Sequence, residues 1–255
     1  MQLKIGYGVF GKAYEVMLRQ DLHAAGSIDH RLMESMILLE EESAALLYQN
    51  PPRIPSEICR NPLWQFAQQF KRETEKETIR AVLDFTQNIV QNFDQPFEQM
   101  HFGGTEQEIL QRGTDWCADL ARVGVVLLEC LTIPARMVNL ADRKKAYHGH
   151  VILEAFYEGK FGAIDPVYGY LFYEDGPLSV WELQHHPDRL KQIIGCGDHS
   201  DYYQGLYDAA AISEYDPTCL DNQYLISCPN KYYLALIARG ENDGQWILGE
   251  DKQGS

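Results

Sequence analysis

The sequence predicts an α+β protein in which helices come first and an antiparallel sheet follows. Three observations carry that expectation. Apolar residues recur at helical spacing through the first half of the chain. The period switches to strand-like runs after Ile133-Pro134, and short polar turns separate those runs.

The 255 residues suffice for one large domain or two small ones, with 45% hydrophobic and 23% charged residues, an ordinary globular composition. Against 22 basic side chains stand 37 acidic ones, a net charge of −15. A field of that sign repels nucleic acid and anionic membrane, so neither is expected as a partner; its commoner meaning is solubility, with attraction of cationic or amine substrates as the alternative. No run of 18 apolar residues occurs, which argues against a transmembrane helix. Met1-Gln2-Leu3-Lys4-Ile5-Gly6-Tyr7 lacks the apolar core of a secretory signal, so a cytoplasmic location is expected. The six cysteines are scattered and form no Cys-x-x-Cys pair, so neither a disulfide scaffold nor a zinc knot is expected. No cofactor is expected.

The first helix should cover 28–47, where Leu32, Met33, Met36, Leu39, Leu46 and Leu47 recur near helical spacing. Asn50-Pro51-Pro52-Arg53-Ile54-Pro55 ends it, because proline cannot continue a helix. A second helix is expected over 74–93, its buried stripe formed by Ile79, Val82, Leu83, Phe85, Ile89, Val90 and Phe93. The charged run at 71–77 reads as a solvated face. Gly103-Gly104 marks a joint, and Thr105-Glu106-Gln107-Glu108 is a capping-box pattern opening a short helix that ends near Arg112-Gly113. A core helix then spans 116–131 through Leu120, Val123, Leu127, Leu128 and Leu131, with Thr114 or Asp115 as its N-cap. Strands are expected at 136–140, 150–157, 161–165 and 168–173, with a Glu158-Gly159 turn between the second and third. A short helix over 179–183 follows, and two more strands are expected at 232–238 and 245–249. No internal repeat is present.

Three residues in this frame have the chemistry of acyl transfer. Cys117 falls in the opening turn of the core helix, where unpaired N–H groups place partial positive charge and favour a thiolate. A buried cysteine acting as a small hydrophobe is the alternative, and it is the reading kept for Cys130. His150 opens the apolar strand Val151-Ile152-Leu153, where its imidazole can face a cleft as a general base. Asp165 ends the next strand just before Pro166, and can accept the second imidazole N–H to fix the tautomer. A hairpin turning at Glu158-Gly159 returns the chain to about its starting height, so His150 and Asp165 can be neighbours.

These residues match a family pattern. Gly113-Thr114-Asp115-Trp116-Cys117-Ala118-Asp119-Leu120-Ala121, then Leu127-Leu128 and Ile133-Pro134-Ala135-Arg136, resembles the transglutaminase-like superfamily. So do His150-Val151-Ile152-Leu153-Glu154, Gly159-Lys160-Phe161 and Ile164-Asp165-Pro166. The resemblance covers 79–170 and implies a papain/transglutaminase-like core, a nucleophile-bearing helix packed on an antiparallel sheet. It makes Cys117 the nucleophile, His150 the base and Asp165 the orienting carboxylate of a catalytic domain over 76–255, behind an N-terminal helical segment at 1–75. The chain departs from the pattern at Phe161 and Gly162, where a tryptophan and its successor are common, and at Ile152, where an aromatic is common. It also lacks calcium-loop patterns, which sets it apart from the calcium-dependent crosslinking enzymes. Arg112-Gly113 resembles the arylamine acetyltransferases, while the Ile133-Pro134-Ala135-Arg136 block favours the transglutaminase-like reading.

The expected function is acyl transfer from a peptide or small-molecule amide or thioester through a thioester acyl-enzyme. Water would complete hydrolysis, and an amine acceptor would complete transfer. The backbone N–H of Cys117 is the first candidate oxyanion donor, with Gln111 or Trp116 as the second. Asp119 is read as a structural group pairing with Arg136. Two alternatives stay open: a non-catalytic binding or scaffold module on the same fold, and a metal site built from His148 and His150 with Cys117 or Asp165 as a third ligand.

Overall fold

The computed structural model describes residues 38–51, 53–89, 103–114, 116–142, 149–195 and 198–213. The strands expected at 232–238 and 245–249, and the start of the helix expected over 28–47, lie outside the described residues.

The first described helix, α1 (Glu41–Tyr48), begins just after a turn. Leu38 and Leu39 form a turn, with Leu39 at φ 49, a conformation that leaves the helical path. Burial explains why a leucine tolerates it: Leu39 is fully buried in the same cluster as Leu47. After the prolines come a 3₁₀ turn at Ser56–Arg60, α2 (Trp64–Ala67) and α3 (Glu75–Asn88). Thr74 caps α3 in a reciprocal capping box with Glu77. Ile79, Val82 and Leu83 form its buried stripe; the expected extension beyond 89 lies outside the described residues.

Helix α4 (Glu106–Arg112) opens on the expected capping box, Thr105 with Glu108, and stops at Gly113, whose φ of 74 suits glycine. Helix α5 (Cys117–Cys130) is buried at every position after Cys117, which makes it the centre of the molecule. Its N-cap is Trp116, without a side-chain cap bond, rather than Thr114. The Thr114 hydroxyl instead accepts the Trp116 N–H (3.0 Å) and donates to Asp119 (3.1 Å), bracing the turn before the helix.

The sheet comprises β1 (Ala135–Ala141), β2 (Gly149–Tyr157), β3 (Lys160–Asp165), β4 (Tyr170–Leu171) and, after helices α6 (Val180–His185), α7 (Pro187–Ile194) and α8 (Asp198–Gly205), β5 (Ala209–Ser213). All five strands are antiparallel to their neighbours, in the order β4-β3-β2-β1-β5. Glu158 (φ 51) and Gly159 (φ 83) make the tight β2–β3 turn, with both central residues at positive φ. The strand expected over 168–173 shrinks to β4 because the chain turns through 166–169, with Gly169 at φ 73. Helices α7, α8 and strand β5 had no clear counterpart in the sequence pattern.

Both faces of the sheet are covered, so its strands read as nearly continuous apolar runs. Met137, Val151, Leu153, Ala155 and Ile164 pack against α3 and α5, in a core that also takes in Ile58, Leu63, Ala67 and Phe70. Val138, Leu140, Ile152 and Ala163 pack on the other side, against α1 and the α6–α8 layer. No helix among the described residues is long and apolar enough to cross a membrane.

Candidate active site

The site forms where the N-terminus of α5 meets the start of β2 and the end of β3. Cys117 is the first residue of α5 and is half-buried, at the electropositive end of a 14-residue helix. The approach to it is held by charge. Arg112 pairs with buried Asp119 at 2.8 Å, and Asp119 also accepts the Gly103 N–H at 3.0 Å. One turn on, buried Arg122 pairs with Glu106 at 2.6 Å and donates to the Gly104 carbonyl at 2.8 Å. Together these contacts clamp α4 and the Gly103-Gly104 joint against α5. The expected Asp119–Arg136 pair does not form, because α4 supplies the nearer guanidinium. Arg136 instead pairs with Glu154, its cross-strand partner, at 2.7 Å.

His150 and Asp165 meet as the hairpin allows. The register pairs Leu153 with Ile164, so one step further Asp165 faces Ile152, two residues from His150 on the same side of β2. That diagonal is spanned by the side chains: His150 Nε2 lies 2.8 Å from Asp165 Oδ2. Asp165 is fully buried, and its other oxygen accepts the N–H groups of Val167 (2.9 Å) and Tyr168 (3.2 Å). The turn after Pro166 therefore fixes the carboxylate plane. With Nε2 engaged, Nδ1 is the imidazole nitrogen left to face Cys117.

Burial is the largest single influence on His150 and acts against its charged form. The charge and hydrogen bond of Asp165, followed by the hydrogen bond and charge of Cys117, outweigh it and push the His150 pKa up to about 10. Cys130, deep in α5, shows the opposite balance: burial first, then Glu129 and Glu106, push its thiol up to about 12.

The structure thus brings Cys117, His150 and Asp165 together. Gln111 lies exposed on the last turn of α4, and the Trp116 backbone N–H is already donated to Thr114. His148 lies outside the described residues, and among the described residues no group of three or more His, Cys, Asp or Glu side chains is placed to hold a metal. Two aromatic residues escaped the sequence reading. Tyr168 sets its ring 5.6 Å from the imidazole, and the Tyr203 hydroxyl donates to Asp165 Oδ2 at 2.6 Å. The four-residue spacing of Tyr203 and Tyr207 was a visible sign of a helix face; nothing in it named Asp165 as the partner. A cleft of 680 Å³ along α3, lined by Phe70, Lys76, Arg80, Phe85 and neighbours, includes none of the three central residues.

No family model matches the chain, and no curated protein matches it. Among solved structures, a candidate cysteine protease from Cytophaga hutchinsonii is similar, with 18% identity and a TM-score of 0.34. The match covers 55% of this chain and 43% of that one, so this chain spans less than half the length of its neighbour. A likeness of that size carries no weight for the chemistry, which has to come from Cys117, His150 and Asp165 themselves.

Proposed function

We propose that the protein is a cysteine-dependent acyl-transfer enzyme on a transglutaminase-like core, with Cys117 as nucleophile, His150 as acid and base, and Asp165 as the orienting carboxylate. One observation carries this reading: a buried histidine is held at 2.8 Å by a buried aspartate, and a half-buried cysteine lies close enough to help raise its pKa. A histidine whose pKa is pushed up to about 10 keeps its proton at neutral pH, the form that can deliver it to a leaving group.

In the proposed cycle, Cys117 Sγ attacks the carbonyl carbon of an amide or thioester. The oxyanion meets the Cys117 backbone N–H, one of the helix N–H groups with no partner inside the helix. His150 passes its proton to the departing amine or thiol as the C–N or C–S bond breaks, leaving a thioester on Cys117. Water or an amine then attacks that thioester, gives a proton to His150, and releases an acid or a new amide. Peptides, small amides and thioesters are the substrate classes this cycle serves, and a nucleophilic thiol fits a reducing, cytoplasmic setting.

Site-resolved iodoacetamide labelling, followed by mass spectrometry, tests the reading. Cys117 should react faster than exposed Cys59 at and below pH 7, and His150→Ala should slow it by about tenfold or more. Equal rates at Cys117 and Cys59, or indifference to His150→Ala, would mean the three residues are a structural cluster on a binding module.

A further inference from the structure

Asp165 Oδ2 serves two donors at once. His150 Nε2 lies 2.8 Å from it and the Tyr203 hydroxyl 2.6 Å. The phenol distance falls at the short end expected for a hydrogen bond to a charged acceptor. Tyr203 stands 38 residues beyond Asp165 in the chain, on α8, so this is a tertiary contact and not part of the Asp165 turn. Its side chain is fully buried, stacked on Phe172 at 6.4 Å and edge-on to Tyr168 at 5.5 Å and Tyr170 at 5.7 Å. The ring cannot swing away without opening that cluster.

We propose that Tyr203 is a positioning residue of the site, whose phenol shares Asp165 Oδ2 with His150 and so sets how strongly the carboxylate holds the imidazole proton. The inference rests on the reading of Cys117, His150 and Asp165 as a triad. A phenylalanine would fill the same space, whereas burying a hydroxyl is costly unless it is bonded, and this one is bonded to the carboxylate that orients the base. Two donors on one oxygen each weaken the other's bond, because each draws on the same negative charge. The phenol keeps its own proton: burial first, then the charges of Tyr207 and Asp165, hold its pKa well above the ordinary value. Tyr203 is therefore a donor throughout the range in which the site would work. Among the described residues, the groups facing the His150–Asp165 pair are Cys117 from α5, Tyr168 from the turn after β3, and Tyr203 and Tyr207 from the last helical segment.

The test is the hydrogen-bonded Nε2 proton of His150, read at pH 7 by NMR on protein carrying labelled histidine. Tyr203→Phe should move that resonance downfield, because Asp165 Oδ2 then serves His150 alone. The imidazolium titration should move upward with it, by up to about one pH unit. Tyr207→Phe is the control: it removes an equally buried phenol, 3.4 Å from the Tyr203 hydroxyl, without touching the Asp165 bond. An unmoved or upfield signal in Tyr203→Phe, or an equal movement in Tyr207→Phe, overturns the inference. If Tyr203→Phe does not fold, 3-fluorotyrosine placed at 203 keeps the ring and makes a stronger donor, so the signal should move upfield; no movement there also overturns it. Alkylation of Cys117 in the same samples reads the triad separately. Slow, His150-independent labelling sinks the triad while leaving the NMR result on Tyr203 intact.

Discussion

At the scale of single residues, His150 is governed by two opposed influences, and the winner sets a pH dependence. An exposed histidine titrates near 6.5, while His150 holds its proton up to about 10. Its interactions therefore stabilise the fold fully below pH 6.5 and are lost as pH climbs through 10. The difference in Tm between the wild type and His150→Gln should accordingly narrow between about pH 7 and pH 10. A difference that stays constant over that window would show that the imidazole does not carry its charge in the native state. Cys130 supplies a second check, since burial pushes its thiol up to about 12 and it should stay unlabelled by iodoacetamide in the native protein at neutral pH. The residues at element ends were legible in the sequence: Cys117 at a helix start, His150 and Asp165 at strand ends. Tyr203 was not, because its role depends on where α8 packs, and no local pattern encodes that distance.

At the scale of elements, the buried Arg136–Glu154 pair ties several pieces together. Glu154 accepts from Arg136 on β1, from Tyr48 on α1 at 2.9 Å, and from the Val180 N–H at the start of α6 at 2.7 Å. Arg136 also donates to the Leu47 carbonyl at 2.6 Å and lies 3.6 Å over the Phe161 ring. Removing one partner strands the other charge in the core, so Glu154→Ala should cost about 3–5 kcal/mol in urea unfolding. The double variant Arg136→Met/Glu154→Leu should recover much of that loss; if it does not, the pair is more than a buried charge with its counter-ion. Packing explains Gly162, one of the points at which the sequence departs from the transglutaminase-like pattern that it resembles. A Cβ there would come within 2.7 Å of the Pro177 and Tyr157 rings, so one of them would have to shift. Gly162→Ala should destabilise by about 1–3 kcal/mol, measured the same way. The β2–β3 hairpin was readable because turn chemistry and apolar runs agreed. The turn at Leu38-Leu39 that interrupts the helix expected over 28–47 was not legible, because the 3.6-residue period runs through Leu39 whether or not the backbone does. Helix α8 and strand β5 were missed because a polar Asp198-His199-Ser200-Asp201 opening and a short alanine-rich strand carry little periodicity.

At the scale of the whole molecule, two fields of opposite sign meet at Cys117. The chain carries a net charge of −15, while the thiol acts directly on His150, whose pKa is pushed up to about 10. Salt separates them. The screening length is about 30 Å at 0.01 M salt and about 8 Å at 0.15 M, so the distant acidic surface acts at low salt and fades at high salt. A partly buried contact such as Cys117–His150 is screened far less. An anionic reagent should feel the exchange of one field for the other. Iodoacetate should gain on neutral iodoacetamide at Cys117 as salt rises from about 0.01 M to about 0.15 M. At high salt it should react relatively faster at Cys117 than at exposed Cys59, where no imidazolium waits. A ratio of the two rates that ignores salt would remove the acidic surface as a factor in substrate choice. A Cys117 ratio no higher than that of Cys59 would remove the imidazolium. If both effects are present, the surface draws cationic or amine substrates toward the molecule while the site itself stabilises negative charge. That division suits the proposed passage of an acyl group through an oxyanion to an amine.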